Sequence, residues 1–142
     1  GGPLAGRAVA VFGAAGERDM ALPLLRARLP GGVIDLVGRT DLPTAGAALE
    51  RAALFLGNDS GLMHMAAAVG VPTLGLFGPT SDRRYAPWGP RARALRTPES
   101  LAELRARADY RTDTDKSFMT GLTTATATAA AAALLAQTET TT

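Results

Sequence analysis

Short apolar segments alternate with helix-forming stretches along most of the chain, and this alternation limits the possible folds more than any other feature. Apolar segments that read as strands are 7–12, 33–37, 54–56, 72–77 and the shorter 92–95. Helices are predicted over 17–29, 41–53, 61–69, 101–108 and 122–136. Strands that are almost wholly apolar and that alternate with helices are typical of a parallel sheet covered on both sides. The predicted fold class is therefore α/β, a Rossmann-like parallel sheet with helices on both faces.

Two segments of the chain break this regular pattern. Residues 78–90 are predicted to form a long loop, because three prolines and two glycines interrupt both helix and strand there. Trp88, in that segment, is expected to fold over the sheet edge as an anchor, with stacking on a base or sugar as the alternative. Residues 112–142 are partly low in complexity, and the helix over 122–136 is expected to end in a frayed, threonine-rich tail.

The composition excludes several classes of function. The chain has no cysteine and one histidine, so a disulfide scaffold, a thiolate metal site and a site built from several imidazoles are all ruled out. No metal or cofactor is expected. No apolar run approaches the ~20 residues that a membrane-spanning helix needs. The start of the chain does not resemble a secretory signal. These observations predict a cytoplasmic protein without a membrane span.

The charge pattern points to an anionic partner. The net charge is +2, nearly all of the positive charge is arginine, and eight arginines lie between residues 83 and 111. A nucleic-acid surface usually interleaves such charges with aromatic side chains. Because aromatic residues make up only 5% of the chain, no nucleic-acid partner is expected. A solvated arginine-rich face is the simpler interpretation.

The polar residues best placed to bind a ligand follow the third predicted strand. In a parallel sheet, ligands bind beyond the carboxyl ends of strands, near the amino ends of helices. Asn58, Asp59 and Ser60 occupy such a position, and Asn58 or Asp59 could cap the next helix. Gly61 permits close approach, and the free amides of residues 60–63 would form an anion site strengthened by the helix dipole. An ordinary capped turn would have the same sequence, so the local pattern leaves both interpretations open.

His64 lies one turn into the helix that follows. Side chains on a helix point towards its amino end, so this imidazole could reach the same anion. The alternative is a core or surface histidine that is hydrogen-bonded to a backbone carbonyl. Met63, Met65 and the alanines at 66–68 are predicted to pack in the core, where small residues let the helix lie close to the sheet.

These residues belong to a longer segment that resembles a family signature. The run GNDSGLMHMAAAVGVPTLGLFGPT, residues 57–80, resembles the donor-site signature of the ADP-heptose:lipopolysaccharide heptosyltransferases, in which an Asp, a Ser or Thr, a Gly and a following His line the site. The segments GRTDLPTAGAALERA and VFGAAGERD resemble the parts of the family that lie beside the nucleotide, and SFMTGL resembles its closing segment. The likeness covers most of the chain and is strongest over residues 32–80.

The resemblance implies where each part of a nucleotide-sugar donor, ADP-heptose, would bind. The residues that would hold the sugar diphosphate are Asp59, Ser60, Gly61, Leu62 and His64. Those that would contact the nucleoside are Glu17, Gly38, Arg39, Thr40 and Leu42. Glu17 matches the acid that holds the ribose, although a glutamate favoured by the helix dipole in a first turn fits the residue equally well. Gly78, Pro79 and Thr80 would border the cleft, or form only a tight turn.

The resemblance also implies a place for the chain within a larger enzyme. It matches the C-terminal, donor-binding half of a GT-B fold, without the first strand–helix unit of that half and without the N-terminal acceptor domain. The catalytic base would lie in that N-terminal domain, so no catalytic residue and no turnover are expected of this chain alone. The whole enzyme would transfer a heptose, with inversion, from an ADP-sugar to lipopolysaccharide core or a similar surface glycan.

The resemblance also implies partners for the whole enzyme, and two other functions are kept as alternatives. The glycolipid acceptor would bind through the other domain, and the enzyme could associate peripherally with the inner face of the inner membrane. One alternative is a non-catalytic nucleotide-binding or interaction module. Another is a different GT-B enzyme that uses another nucleotide sugar.

Overall fold

The computed structural model describes residues 4–111 and 118–139, and in these residues the chain forms five strands and six α-helices. It divides into two compact units, with the boundary between Ala48 and Leu49. That boundary falls inside helix α2, Leu42–Glu50. The segments 112–117 and 140–142 of the predicted low-complexity tail lie outside the described residues.

The first unit is built on two parallel strands, each followed by a helix. Its elements are strand β1 (Val9–Val11), a 3₁₀ turn (Ala15–Glu17), helix α1 (Arg18–Leu25), strand β2 (Val33–Asp35) and the start of α2. Val9 pairs with Val33 and Val11 with Asp35. Both strands were predicted, but each is only three residues long, and Val9 and Ile34 remain exposed.

Helix α1 ends earlier than the sequence predicts. It was expected to run to Leu29 but ends at Leu25. Pro23 lies inside the helix and cannot donate a main-chain hydrogen bond, which weakens the last turns. The amide of Ala27 then bonds to the carbonyl of Leu24, three residues back, at 3.1 Å. This tighter bond closes the helix.

The second unit contains a three-stranded parallel sheet with β4 in the centre. Its elements are strand β3 (Phe55–Asn58), helix α3 (Gly61–Ala68), strand β4 (Thr73–Phe77), helix α4 (Asp82–Tyr85), strand β5 (Ala92–Arg96), helix α5 (Leu101–Ala106) and helix α6 (Thr124–Glu139). Strand β4 pairs in parallel with β3 on one side and with β5 on the other. The predicted parallel α/β architecture is confirmed.

Strand β4 carries the core of this unit. Leu74 and Phe77 project from opposite faces of the strand, since side chains alternate along it, and both are at most 1% exposed. Both faces of the sheet are therefore covered at β4. Helix α3 packs against β3 and β4, and helix α6 packs against β4 and β5. Met63 of α3 is fully buried, so its predicted core role is confirmed.

Residues 78–90 differ most from the sequence prediction. They were predicted to be a loop throughout, but α4 forms one helical turn over Asp82–Tyr85 between the prolines that frame the segment. The predicted anchoring role of Trp88 is wrong, because this side chain is 90% exposed. Pro87 is buried instead, and its ring lies beside Gly75 of β4.

The last helices lie close to their predicted positions. Helix α5 begins with a capping box in which Ser100 and Glu103 bond to each other's amides, at 3.2 and 2.7 Å. It ends at Ala106 instead of residue 108, because Arg107 has an extended backbone. The predicted C-terminal helix is confirmed, shifted two to three residues along the chain. None of the helices in the described part of the chain has both the length and the apolar composition that crossing a bilayer requires.

The packing of α3 on β4 predicts the effect of adding one methyl group. A Cβ atom at Gly75 would overlap the sulfur of Met63 and lie 3.0 Å from the Phe77 ring. We expect Gly75→Ala to lower the free energy of unfolding by about 1–3 kcal/mol, as overpacked cores do. Urea denaturation followed by circular dichroism measures this change. Gly61→Ala is the matched control, since its added Cβ meets nothing within 4 Å. Equal stability of the two variants would contradict the packing.

Candidate functional site

The three strands of the second unit end at the same edge of the sheet. They run parallel and in register, with Asn58 opposite Leu76 and Phe77 opposite Arg96. Two groups of predicted site residues therefore follow neighbouring strands. The turn at residues 59–60 follows β3, and the loop at 78–80 follows β4. This is the position at which parallel sheets bind ligands.

The turn between β3 and α3 is capped by a different residue from those predicted. Strand β3 continues through Asn58, which pairs with Leu76, so Asn58 is not available as a cap. Ser60 is the N-cap: its backbone is extended, and its Oγ accepts a bond from the amide of Met63 at 3.4 Å. The prediction that Asn58 or Asp59 caps the helix is wrong, because the strand is longer than its apolar run.

This cap reduces the number of amides that an anion could use. The Met63 amide is occupied by Ser60, and the amide of His64 bonds to the Ser60 carbonyl at 3.3 Å. The amides of Gly61 and Leu62 lie in the first turn, where a helix offers no acceptor of its own. Gly61 is exposed and has open space where a side chain would project. The start of α3 therefore combines the positive end of a helix dipole with an accessible backbone at Gly61.

Asp59 and His64 flank these amides. His64 Nε2 lies 3.8 Å from Asp59 Oδ1, and the two side chains are 48% and 20% exposed. The alternative of a core histidine is excluded by this exposure. An imidazole N–H can donate to a phosphate oxygen, and a carboxylate can accept from a sugar hydroxyl. The turn thus brings both kinds of group to the start of one helix.

The loop after β4 is held by an arginine that the sequence interpretation assigned to a solvated face. Arg96 Nη2 donates to the Gly78 carbonyl at 2.6 Å, and Nη1 donates to the Thr80 carbonyl at 2.8 Å. Nη1 also lies 3.2 Å from Asp82 Oδ1. Pro79 is half-buried and Thr80 is exposed. The loop is thus bound to the end of β5.

Gly78 also lies against the segment that precedes α6. A Cβ atom at Gly78 would lie 2.6 Å from Met119 Cγ and 3.1 Å from the Phe118 carbonyl oxygen. Phe118 is buried, with its ring 5.3 Å from that of Tyr110. Only a residue without a side chain allows the two segments to approach so closely.

In the first unit, Glu17 closes the turn after β1. Its Oε2 accepts a bond from the amide of Ala14 at 2.6 Å, and its side chain is exposed. This contact supports the interpretation of Glu17 as a residue of the first helical turn. The ribose contact implied by the family resemblance stays a prediction.

Gly38 brings a second turn against this one. Its amide donates to the Gly13 carbonyl at 2.8 Å, and its φ of +68° lies in the region that favours glycine. A Cβ atom on Gly38 would lie 2.8 Å from the Cα of Ala15, so the two turns touch. The first unit thereby brings Gly38 close to the turn that Glu17 closes.

The other residues predicted to contact the nucleoside lie where α2 begins. Leu42 is 71% exposed, which leaves it free for an apolar contact, and Thr40 is half-buried. Asp41 caps α2 by accepting a bond from the amide of Thr44 at 2.8 Å. The hydrogen bonds from Thr44 lower the pKa of the Asp41 carboxyl.

Asp35, at the end of β2, was not predicted as a site residue but organises the charges around it. Arg18 Nη2 lies 2.5 Å from its Oδ2, and Arg39 Nη2 lies 3.3 Å from the same oxygen. The Val37 amide donates to Oδ1 at 3.1 Å. The hydrogen bond from Arg18, more than the other groups, lowers the pKa of Asp35. A carboxylate within an apolar strand was the available signal, but Arg18, which forms the shorter of its two ion pairs, lies 17 residues away in the sequence.

The family model and the similar proteins all point to one family. Residues 4–112 match the model of glycosyltransferase family 9 (heptosyltransferase). Lipooligosaccharide heptosyltransferase 2 of Haemophilus influenzae is 36% identical over 94 residues, which are 64% of this chain and 27% of that protein. Lipopolysaccharide heptosyltransferase 3 of Escherichia coli K12 is 43% identical over 56 residues, 39% of this chain and 16% of the relative. The chain therefore spans about a quarter or less of the length of these relatives.

Two solved structures share the fold. The glycosyl transferase family 9 protein from Veillonella parvula superposes with a TM-score of 0.74 at 26% identity, over 90% of this chain and 36% of that one. The E. coli ADP-heptose lps heptosyltransferase II superposes with a TM-score of 0.72 at 26% identity, over 92% of this chain and 37% of the other.

The charge cluster at Asp35 generates a pH prediction. A carboxyl whose pKa is lowered by folding stabilises the native state above its unfolded pKa of about 3.9, and this contribution is lost as the pH falls through the folded pKa. We expect the NMR titration midpoint of Asp35 to rise in Arg18→Met and to rise less in Arg39→Met. Arg28→Met, which removes an exposed arginine from the same unit, should leave the midpoint unchanged. An unchanged midpoint in Arg18→Met would show that the ion pair does not form.

Proposed function

Because the chain belongs to glycosyltransferase family 9, we propose that its second unit binds the diphosphate of a nucleotide-sugar donor at the turn between β3 and α3. The observation that carries the proposal is the arrangement at the start of α3. Ser60 caps the helix, Gly61 and Leu62 place their amides in its first turn, and the side chains of His64 and Asp59 lie 3.8 Å apart beside that turn. A phosphate group is a common ligand at such a helix start, and membership of the family supports a diphosphate.

Each residue of the turn would have a separate task in donor binding. The amides of Gly61 and Leu62 would donate to the phosphate oxygens, and the Ser60 cap would keep them in place. His64 would donate to the same group from Nε2. Asp59 would orient His64 and accept from a hydroxyl of the sugar. The same donors would stabilise the charge that develops on the leaving nucleoside diphosphate during transfer.

The donor and the acceptor of the parent reaction are further parts of this proposal. The names of the relatives support a heptose donor and a lipopolysaccharide acceptor. We propose ADP-heptose as the donor, heptosyl transfer with inversion as the reaction, and peripheral association with the membrane that carries the acceptor. The nucleoside contacts of Glu17, Gly38, Arg39, Thr40 and Leu42, and the cleft position of Gly78, Pro79 and Thr80, are proposed on the same resemblance.

Calorimetric titration with ADP, GDP and UDP tests the donor class. We expect ADP to bind more tightly than the other two nucleotides, because the proposed donor is an ADP-sugar. Tighter binding of UDP or GDP would exclude the ADP-sugar while leaving the diphosphate turn in place. Failure of all three to bind at millimolar concentration would refute nucleotide binding and favour a non-catalytic interaction module.

Two substitutions test the turn itself. Asp59→Ala should weaken ADP binding by about tenfold, because His64 would lose the carboxylate that orients its imidazole towards the diphosphate. Gly61→Ala should also weaken it, because its methyl group would enter space that is open in the free protein. Calorimetry measures both affinities, and thermal unfolding should change little in either variant.

A matched control separates a binding effect from a general loss of charge. Glu50→Ala removes an exposed carboxylate from the last turn of α2 and should leave the affinity for ADP unchanged. If Asp59→Ala lowers the thermal midpoint strongly but binds ADP normally, Asp59 acts on the fold and the proposed site is wrong.

A further inference from the structure

Arg96 is the last residue of β5, yet its guanidinium binds the loop that follows β4. Its three polar partners are the carbonyls of Gly78 and Thr80 and the carboxylate of Asp82. These partners lie 14 to 18 residues away in the sequence. The side chain is only 20% exposed, so these contacts are partly shielded from water. A charged donor with a rigid fork forms stronger and more directional bonds than a neutral one.

Arg93, on the same strand, shows how different this arrangement is. Its guanidinium bonds to the carbonyls of Pro90 and Ala92, which are three and one residues away, and to Gln137 of α6. These contacts involve β5, the segment just before it and helix α6, and none of them reaches the loop after β4. The two arginines therefore form a natural pair for comparison, since both are charged, both lie on β5 and only one holds the loop.

The loop bound by Arg96 is adjacent to the proposed diphosphate turn. Strands β3 and β4 pair directly through Asn58 and Leu76, so the segments that follow them leave the sheet side by side. On one side of the loop, Gly78 is packed against Met119. Pro79 and Thr80 are left partly or fully accessible. The loop is thus packed at Gly78 and accessible to solvent at Thr80.

We infer that Arg96 is a positioning residue for donor binding. It holds the loop 78–82 in place beside the turn between β3 and α3. Free carbonyl oxygens in a loop next to a diphosphate would repel it if they turned towards it. Arg96 donates hydrogen bonds to two of these carbonyls, so their oxygens stay directed at the guanidinium and away from the anion. The inference rests on the proposed function, because it assumes that an anion binds at the adjacent turn.

Calorimetry with ADP, thermal unfolding and hydrogen exchange of the full chain test this role. Arg96→Met should weaken ADP binding by about tenfold, because the carbonyls of Gly78 and Thr80 would be free to turn towards the diphosphate. It should also speed amide exchange at residues 80–82 in the free protein, while the amides of β4 keep their protection. Arg96→Lys retains the charge but lacks the fork, so it should recover part of the affinity. Arg93→Met is the control and should bind ADP like the unmodified chain.

The outcomes distinguish this inference from the proposed function. If Asp59→Ala weakens ADP binding and Arg96→Met does not, the diphosphate turn stands and the role of Arg96 is refuted. If the unmodified chain binds no nucleotide, the proposed function fails and the inference fails with it. A lower thermal midpoint with unchanged affinity in Arg96→Met would assign Arg96 to the fold alone. Should Arg96→Met not fold, a normal affinity and normal loop exchange in Arg96→Lys would overturn the inference.

Discussion

Helix α3 lies against strand β4 through Met63, whose sulfur occupies the space that a side chain at Gly75 would need. This contact determines how close the helix comes to the sheet. The helix begins directly after the turn that leaves β3, so its depth on the sheet also sets the position of its first amides relative to the strand ends. The cap at Ser60, the accessible backbone at Gly61 and the pair formed by Asp59 and His64 all depend on it. Close packing in the core therefore places a polar site at the surface.

Much of the fold could be predicted from the sequence because local composition determines it. Apolar runs that alternate with helices predicted the parallel sheet correctly. Gly61 was also predicted correctly as the start of α3. The cap of that helix was predicted one or two residues too early, because pairing with β4 extends β3 beyond its apolar residues. Arg96 and Asp35 were missed for a related reason. The partners of Arg96 lie 14 to 18 residues away along the chain, and Arg18, which forms the shorter ion pair with Asp35, lies 17 residues away, so no local pattern reveals these contacts.

Membership of glycosyltransferase family 9 and the geometry of the second unit both support the proposed diphosphate site. The family comparison concerns sequence, whereas the first-turn amides and the flanking side chains are properties of the turn. The first unit adds a different element. Gly38 and Ala15 bring two turns into contact, and Asp35 joins two arginines near the same strand end. A charged cluster of this kind fixes the backbone around Arg39 whether or not a nucleoside binds there.

Trp88 is the only tryptophan in the chain, and its indole is 90% exposed to water. Its neighbour Pro87 is buried against β4, so the indole follows a core residue directly in the chain but lies outside the core. The emission of an indole depends on the polarity of its surroundings. Because water already surrounds this one in the native state, its emission maximum will shift little when the core unfolds. Tryptophan fluorescence of this chain will therefore report changes in the loop after α4. Unfolding of the core around Phe77 will cause little change in the tryptophan emission maximum.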